Sequence, residues 1–439
     1  MSSTPIFDFV SAYAHLSPIR FHVPGHKGAP VLGPEPLDLT EVTGADDLYA
    51  PDGIIAESQR NAASLFGANA TFYSTEGSSL CIRAMLRLLL THRPDGASTR
   101  ILASRNVHRS FVSAAALLGA DVSWLYPERF FSPLSCFLSP SRLDEALATL
   151  SEPPAAVFVT SPDYLGGMQD ISSLAEVCHR RGTLLAVDNA HGAYLHFLSP
   201  PLHPMDLGAD ICCDSAHKTL PVLTGGAYLH LAESCSFAMT DDVPSALSLF
   251  GGSSPSYLTL ASMDLCNKAL SSGLPARLRQ AQERAAETRE ALRQAGWTVL
   301  PSDPLRITIR TDGPVLTEQL RKSGIEPEYA DPDHVVLMVS ADNVPGDFSA
   351  LVEAAGPGIP SSPRPDAEDL RGTPVMSMRE ALLCQRKTVL PEDAVGCICA
   401  DISAACPPAV PLVMPGERIS EEHAILFRRY GIRSLSVVL

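Results

Sequence analysis

The stretch of sequence that decides the fold is Ala209-Asp-Ile-Cys-Cys-Asp-Ser-Ala-His-Lys-Thr-Leu-Pro-Val-Leu-Thr-Gly-Gly-Ala227. An apolar run in it ends in a polar turn that presents Ser215, His217 and Lys218 together. Two glycines close the stretch, and glycine lets a backbone come close to a ligand. A lysine just past a buried strand suits Schiff-base chemistry, because burial lowers the pKa of an ammonium group and a carbonyl cofactor captures the amine. Taken alone, the stretch is equally compatible with a surface lysine that leaves a strand.

Length and composition describe an ordinary globular chain. With 439 residues, of which 45% are hydrophobic and 19% charged, it can form two or three domains with substantial cores. The formal net charge of −16 argues against a nucleic-acid-binding protein, which would carry a basic stripe. An acidic surface concentrates cations, so the charge is compatible with a cationic substrate, although solubility alone explains it equally well.

The N-terminal sequence and the cysteines indicate a cytoplasmic protein. Residues 1–10 carry no basic region of the kind that opens a signal peptide, and no apolar run is long enough to cross a bilayer. The eleven cysteines are irregularly spaced and form neither CxxC pairs nor a Cys/His zinc pattern. We therefore expect reduced thiols that pack in the core, and no metal site.

The first sixty residues predict an N-terminal arm. They are rich in proline and glycine, and neither Arg20–Gly28 nor Asp38–Tyr49 has the pattern of a regular element. Long polar segments of this kind are either functional or disordered. Apolar residues such as Phe21 and Leu48 indicate that the arm packs against something.

From about residue 60 the pattern predicts an α/β fold. Apolar or β-branched runs alternate with helical patterns, which implies a mostly parallel sheet covered on both faces. The predicted strands are 70–73, 100–103, 122–125, 155–160, 183–187 and 209–213, and the predicted helices are 79–90, 110–118 and 172–181. Ligands of such sheets lie beyond the carboxyl ends of the strands.

A smaller α+β region is predicted beyond a connecting helix at 274–296. Strands at 305–310 and 334–340 flank a helix at 315–322, and residues 356–375 have the composition of a loop. We thus divide the chain into an arm at 1–60, a large domain at 61–275 and a C-terminal region at 276–439.

Polar groups follow several of the predicted strands, so the fold would bring them together. Ser74–Ser79 opens a helix, where small hydroxyls and a glycine form a phosphate site or a plain N-cap. His108 follows the next strand and is suited to stacking on an aromatic ring, although most loop histidines have no such role. Asp188 is either an N-cap or a buried carboxylate that pairs with a protonated pyridine nitrogen and strengthens the ring as an electron sink. With Lys218 last, this order describes pyridoxal phosphate on a fold of the aspartate aminotransferase class.

The sequence at this point resembles the bacterial-type ornithine/lysine/arginine decarboxylases, in the short form without a receiver-like N-terminal domain. The resemblance covers most of the chain and implies pyridoxal 5'-phosphate as cofactor, on fold type I with a mostly parallel seven-stranded sheet. The motifs that carry it, which together are highly specific, are Phe21-His-Val-Pro-Gly-His-Lys27, Asp38-Leu-Thr-Glu41, Asp46-Asp-Leu48, Thr75-Glu-Gly-Ser-Ser79, Arg105-Asn-Val-His-Arg-Ser110, Val187-Asp-Asn-Ala-His-Gly192, Ser215-Ala-His-Lys-Thr-Leu-Pro221, Ser254-Pro-Ser-Tyr257, Asp303-Pro-Leu-Arg306 and Val413-Met-Pro-Gly-Glu417.

The resemblance also implies roles for the matching residues. Lys218 carries the cofactor, Asp188 pairs with its ring nitrogen, and His108 stacks on the ring; these three and His217 are the predicted catalytic residues. The cofactor-binding residues it implies are Gly77, Ser78, Ser79, His108, Asp188, Ala190, His191, Ser215, His217, Lys218, Ser254 and Tyr257. Gly77, Ser78 and Ser79 hold the phosphate, and Ser215 and His217 help to hold it.

Two further roles concern the substrate and a second subunit. By the same resemblance, Ser254 and Tyr257 reach the cofactor of a neighbouring subunit, which implies a homodimer or a larger homo-oligomer. Glu417 is expected to meet the distal cation of the substrate.

The chain departs from the family pattern at three places. Glu76 stands where the family often has Asn, and Asn189 stands where it usually has Glu. The usual Tyr-Pro-Pro-Gly-Ile-Pro is replaced by Ala405-Cys-Pro-Pro-Ala-Val-Pro411. The cofactor set is intact, whereas the substrate end is altered, so the departures bear on specificity.

The sequence therefore predicts a decarboxylase of a basic amino acid, arginine or lysine before ornithine, that yields an amine and CO2. One alternative is an aminotransferase or another lyase on the same cofactor, for which Arg306 or Arg310 would grip the α-carboxylate. The other is a non-enzymatic homologue that binds the cofactor. The preferred amino acid, the pathway and the oligomer beyond a dimer are left open.

Overall fold

The computed structural model describes residues 3–128, 131–358, 371–402 and 408–439. Most of the predicted loop at 356–375 and residues 405–407 of the altered segment lie outside the described residues. No helix in the described ranges combines the length and the apolar character needed to cross a membrane.

Helices and strands alternate through the first half of the chain. The helices are α1 (Pro5–Leu16), α2 (Ile54–Phe66), α3 (Ser78–Thr91), α4 (Arg109–Leu118), α5 (Pro140–Ala148), α6 (Ile171–Arg180), α7 (Ala216–Thr219), α8 (Asp242–Ser248), α9 (Tyr257–Leu270), α10 (Leu274–Gln294), α11 (Gly313–Lys322), α12 (Pro345–Ala355), α13 (Met378–Leu383) and α14 (Glu421–Arg429). The strands are β1 (Ala70–Ser74), β2 (Arg100–Ser104), β3 (Asp121–Leu125), β4 (Ala156–Thr160), β5 (Leu184–Asp188), β6 (Ile211–Asp214), β7 (Ala227–Leu231), β8 (Thr298–Val299), β9 (Arg306–Arg310), β10 (Tyr329–Ala330), β11 (His334–Met338), β12 (Thr373–Pro374), β13 (Arg386–Val389), β14 (Glu417–Arg418) and β15 (Leu435–Val438).

These bounds confirm the predicted elements between residues 60 and 340, within about two residues at each end. The two arm segments Arg20–Gly28 and Asp38–Tyr49 are fully described and contain neither a helix nor a strand, as predicted. The arm is preceded by α1 and followed by α2, which the sequence did not predict.

The main sheet has seven strands in the order β1-β7-β6-β5-β4-β2-β3. β7 runs antiparallel to β1 and β6, whereas β5 pairs with β6 and β2 pairs with β3 and β4 in parallel. Every residue of β6 and β7 is buried, which fits strands covered on both faces. The predicted mostly parallel seven-stranded α/β sheet is therefore confirmed, and a four-stranded antiparallel sheet, β10-β11-β9-β8, follows it in the chain.

The chain forms two compact units, and each is discontinuous in sequence. The first unit comprises Met1–Asp95 and Ile171–Arg279, and the second comprises Gly96–Asp170 and Gln280–Leu439. The division into three domains at residues 60 and 275 is a different partition and stays a prediction.

Candidate active site

The carboxyl ends of β5 and β6 lie side by side in the first unit. The strands run parallel, with Asp188 opposite Cys213. Just beyond this pair, the Asn189 backbone N–H donates to the Cys213 carbonyl at 3.0 Å. Because parallel strands end at the same edge of a sheet, the turn that carries Lys218 starts beside Asp188.

Asp188 is a buried carboxylate with few partners of its own. It is 2% exposed, and its Oδ1 accepts from the Ala190 backbone N–H at 3.2 Å. Burial raises the pKa of the Asp188 carboxyl, and the positive charge of Lys218 opposes that shift. A buried carboxylate that is costly to ionise alone is well suited to a cationic ring nitrogen.

Lys218 lies in the one-turn helix α7, directly after β6. Its Nζ is 2.7 Å from the Nε2 of His191, and its backbone N–H donates to the Ser215 carbonyl at 3.0 Å. The side chain of Lys218 is exposed while His191 is buried. The fold gives the amine an imidazole neighbour and an exposed position, and the predicted role of Lys218 stays a prediction.

The turn between β1 and α3 has the shape of an anion site. Gly77 has a φ of 72° and donates its N–H to the Gly225 carbonyl at 2.7 Å. Gly225 has a φ of 98°, and a side chain there would lie 2.4 Å from the Thr75 carbonyl oxygen, so the close approach of the two turns requires glycine. The Ser215 hydroxyl donates to Ser78 Oγ at 2.8 Å, which places two hydroxyls at the N-terminus of the 14-residue helix α3.

Glu76 does not place its charge at that turn. Its side chain is exposed, and its Oε1 accepts the backbone N–H of Gly252 at 2.6 Å. The departure from the family's Asn is thereby accounted for, because the carboxylate binds a neighbouring loop.

His217 flanks the same turn in the first unit. It is half-buried, and its Nδ1 lies 3.0 Å from the Gly226 carbonyl, to which it donates. Burial lowers the pKa of His217, with the positive charge of Lys218 acting in the same direction. The bond to the carbonyl places a ring proton on Nδ1, and the lowered pKa favours the neutral ring.

These residues fit pyridoxal phosphate. Ser78 and Ser215 offer hydroxyls at a helix N-terminus, Asp188 offers a buried carboxylate, and Lys218 offers an accessible amine. The three kinds of group match the phosphate, the ring nitrogen and the aldehyde of that cofactor in turn.

His108 belongs to the second unit, at the start of α4. Its ring is half-buried, and its Nδ1 accepts from the Ser110 backbone N–H at 3.2 Å, which caps the helix. This bond fixes the orientation of the imidazole. The predicted stacking role of His108 stays a prediction.

Glu417 is also in the second unit, where it is 4% exposed. Its Oε2 accepts the Met414 backbone N–H at 2.9 Å and lies 3.9 Å from the Nη2 of Arg105. That guanidinium donates to the carbonyls of Pro411 and Leu412. The carboxylate predicted to meet the substrate's distal cation is thus already placed beside a cation of its own chain, and the predicted role stays untested.

Ser254 and Tyr257 lie in the first unit and differ in exposure. Ser254 is exposed, whereas Tyr257 is fully buried. The Tyr257 hydroxyl donates to the Asp46 carbonyl and accepts from the Asp46 N–H at 3.1 Å. The hydroxyl therefore ties the arm to α9 within one chain, and only Ser254 of this pair presents its side chain outward.

The sequence analysis missed a group of buried polar residues beneath the strand ends. Asn189 and Asp214 bond to each other through their side chains at 2.7 Å, and both are fully buried. Asp214 directly follows the predicted strand 209–213, and Asn189 is the second residue after the predicted strand 183–187. A position just after a strand was also the signal for Asp188, but by itself it does not distinguish a functional residue from a cap.

Comparison with known proteins agrees with the geometry. The family model for the major domain of Orn/Lys/Arg decarboxylases matches residues 4–311. The arginine decarboxylase of Bacillus subtilis (strain 168) is 31% identical over 462 residues, which cover 96% of this chain and 92% of the relative. The arginine decarboxylase of Halalkalibacterium halodurans is 30% identical, with 99% of this chain and 94% of the relative covered.

Among solved structures, the constitutive lysine decarboxylase of E. coli has a TM-score of 0.79 at 18% identity, and the match covers 100% of this chain and 82% of that one. This similarity shows a shared fold. Since the family model covers most of the chain and one relative of nearly equal span is 31% identical, the assignment does not depend on the fold alone. The chain belongs to the Orn/Lys/Arg decarboxylase family, and it is a pyridoxal-phosphate-dependent decarboxylase of a basic amino acid.

Proposed function

We propose that the substrate is arginine, with lysine second and ornithine third, and that the products are CO2 and the corresponding amine. The observation that carries this proposal is the accessible amine of Lys218, 2.7 Å from His191 and beside the buried Asp188. The two relatives described above, both called arginine decarboxylase, support the order of substrates. The net charge of −16 favours a cationic substrate.

Each residue of the first unit has a distinct part in this proposal. When bound, the cofactor accepts the electron pair left by the departing carboxylate. Lys218 carries the cofactor, and Asp188 holds a proton on its ring nitrogen. His191 exchanges a proton with the Lys218 amine, because its Nε2 is within hydrogen-bond distance. Ser78 and Ser215 bind the phosphate.

The aminotransferase alternative named Arg306 or Arg310 to grip the α-carboxylate, and the first of these has other partners. Arg306 is 1% exposed, with its Nε 3.1 Å from Asp303 Oδ2. Its Nη1 donates to the Tyr164 carbonyl at 2.7 Å. These contacts give Arg306 a structural function within the second unit.

The test is to supply the protein with pyridoxal phosphate and to measure CO2 and amine with arginine, lysine and ornithine separately. We expect CO2 and agmatine in equal amounts from arginine. A keto acid formed without CO2 would indicate transamination, and stoichiometric cofactor binding without any turnover would indicate a non-enzymatic homologue.

We also propose that the active unit is a homodimer in the cytoplasm, with a site that both chains complete. Support comes from the arm, where Ile19, Phe21 and Leu32 are 87%, 94% and 89% exposed, and from the outward position of Ser254. Ten cysteines in the described ranges are free thiols, which fits a reducing compartment.

Mixing two inactive variants tests the shared site. Lys218→Ala and the bulky Ser254→Trp should each be inactive alone, and their mixture should recover up to roughly a quarter of wild-type sites if subunits exchange randomly. Ser254→Ala serves as the control and should keep most of its activity. Proven subunit exchange without recovery would show that each chain builds its own site.

A further inference from the structure

Three buried titratable residues of the first unit have no part in the proposed chemistry. His203, Asp214 and His230 are all fully buried, and their side-chain nitrogen and oxygen atoms lie within 4.8 Å of one another. They come from a loop, the last residue of β6, and β7. A group of this kind is costly to bury and needs an explanation.

The carboxylate of Asp214 is the centre of the group. Its Oδ1 accepts from the Asn189 Nδ2 at 2.7 Å. Its Oδ2 lies 3.0 Å from the Nε2 of His203 and 3.3 Å from the Nε2 of His230. Burial alone would favour the neutral acid, but the two imidazoles outweigh it and hold the pKa of Asp214 well below its usual range.

The neighbours of the two imidazoles fix where the protons are. The Met205 backbone N–H donates to His203 Nδ1 at 3.3 Å, so the ring proton of neutral His203 is on Nε2, facing Asp214. Thr71 Oγ1 lies 2.8 Å from His230 Nδ1. When the ring proton of His230 is on Nε2, facing Asp214, the Thr71 hydroxyl donates to Nδ1. Burial lowers the pKa of His230, which keeps that ring neutral.

This arrangement describes hydrogen bonds rather than metal coordination. A metal would need the unprotonated Nε2 of His203, and the proton would then move to Nδ1. At Nδ1 it would face the N–H of Met205, which cannot accept it. The group is therefore a carboxylate that accepts from the Asn189 amide and the His203 imidazole, with the His230 imidazole 3.3 Å away.

The bond to Asn189 connects this group to the active site. Asn189 directly follows Asp188, and Asp214 directly precedes the turn that ends at Lys218. The side-chain bond from Asn189 to Asp214 joins these two segments next to the strand ends, whereas the backbone bond from the Ser215 N–H to the Ala190 carbonyl, at 3.3 Å, is long. Fixing Asn189 thus fixes the spacing of the two segments.

We propose that Asp214 is a positioning residue, which His203 and His230 hold in place so that its bond to Asn189 sets the distance between Asp188 and Lys218. This inference rests on the proposed roles of Asp188 and Lys218. It does not depend on which amino acid is the substrate, because the same spacing serves cofactor binding.

The test compares Asp214→Asn with the matched control Asp210→Asn. Asp210 precedes β6 at its opposite end, is 1% exposed, accepts the Leu185 N–H at 2.7 Å and has its own histidine neighbour, His179, at 3.0 Å. Both substitutions remove a buried carboxylate, one at each end of β6, so both should lower the melting temperature.

Only Asp214→Asn should change the active site. We expect the dissociation constant of pyridoxal phosphate for the apoprotein to rise, and kcat to fall, by roughly tenfold or more, with KM within about twofold of wild type. In Asp210→Asn, the dissociation constant of the cofactor, kcat and KM should all stay within about twofold of wild type. Equal behaviour of the two variants would overturn the proposal.

Two further measurements keep the result clear. If Asp214→Asn does not fold, the comparison is between His203→Gln and His203→Ala. The glutamine offers an N–H near the position of Nε2, so His203→Gln should keep the cofactor affinity that His203→Ala loses. Equal cofactor affinity of these two variants would overturn the proposal. One equivalent of tightly held zinc in the purified protein would also overturn it. Turnover by Lys218→Ala at the wild-type rate would instead contradict the proposed function.

Discussion

The ends of β5 and β6 in the first unit and the segment around Glu417 in the second unit both contain buried carboxylates, but they use them differently. Asp188 has one backbone donor on Oδ1 and is held near a lysine whose side chain is exposed. Glu417 accepts a backbone N–H and lies 3.9 Å from the guanidinium of Arg105. In the first arrangement burial raises the pKa of the carboxyl although the charge of Lys218 opposes it, whereas in the second a guanidinium that is itself buried lies beside the carboxylate.

The largest effect should come from the first region, through Lys218→Ala. We expect turnover to be lost and no lysine to be labelled when the loaded protein is reduced with borohydride, since Lys218 supplies the amine that lies 2.7 Å from His191. The measurement is mass analysis of the labelled peptide together with CO2 release. Lys268→Ala in α9 is the control, and a label found at 27, 268, 322 or 387 would contradict the assignment.

Asp188→Asn should have the next largest effect. An amide cannot keep the ring nitrogen protonated, so kcat should fall by roughly 10² or more while much of the cofactor binding is kept. The measurement is steady-state kinetics beside a cofactor titration. A rate near that of wild type would mean that Asp188 is a cap for the Ala190 N–H and nothing more.

Glu417→Gln tests the second region and should have a smaller effect. If Glu417 meets the distal cation of the substrate, KM for arginine should rise roughly tenfold with kcat within about twofold, because the interaction is made equally in the ground and transition states. Glu380→Gln, at the exposed cap of α13, is the control from the same unit. A lower melting temperature with unchanged KM would show that Glu417 serves Arg105 and the Met414 backbone instead.

The two regions also differ in what the sequence could predict. Asp188 and Lys218 follow short apolar runs, and a parallel sheet brings such positions to one edge whatever the details of packing. The arrangement around Glu417 depends on contacts between distant residues, such as the bond from Arg105 to the Pro411 carbonyl, 306 residues later. No local pattern in the chain encodes that contact.

Two further residues show the same limit. The Tyr257 hydroxyl bonds to Asp46, 211 residues earlier in the chain, and the motif at 254–257 does not encode that contact. The apolar run before Lys218 left open whether that side chain is buried, and in the structure it is exposed. Motifs located the residues, while their exposure was decided by packing that the motifs do not contain.

The smallest expected effect compares Asp163 of the second unit with Asp214 of the first, two fully buried carboxylates with opposite shifts. Burial raises the pKa of Asp163 to about 6, although the N–H groups of Leu165 and Gly167 oppose it. Asp214 has two imidazoles and is held ionised. The difference lies in the neighbours, since both residues are buried.

These shifts give opposite dependences of stability on pH. The folded chain binds the Asp163 proton more tightly than the unfolded chain. The resulting contribution of Asp163 to the free energy of unfolding is therefore full below about pH 4 and is lost as the pH rises through about 6. For Asp214 the contribution is present above about pH 4 and is lost only on further acidification. The melting temperature of Asp163→Asn should therefore lie below that of wild type by a few degrees less at pH 7 than at pH 4. For Asp214→Asn, the difference in melting temperature from wild type should be the same at both pH values. Melting temperatures of both variants and wild type across that range measure this, and parallel profiles for Asp163→Asn would mean that Asp163 is ionised throughout.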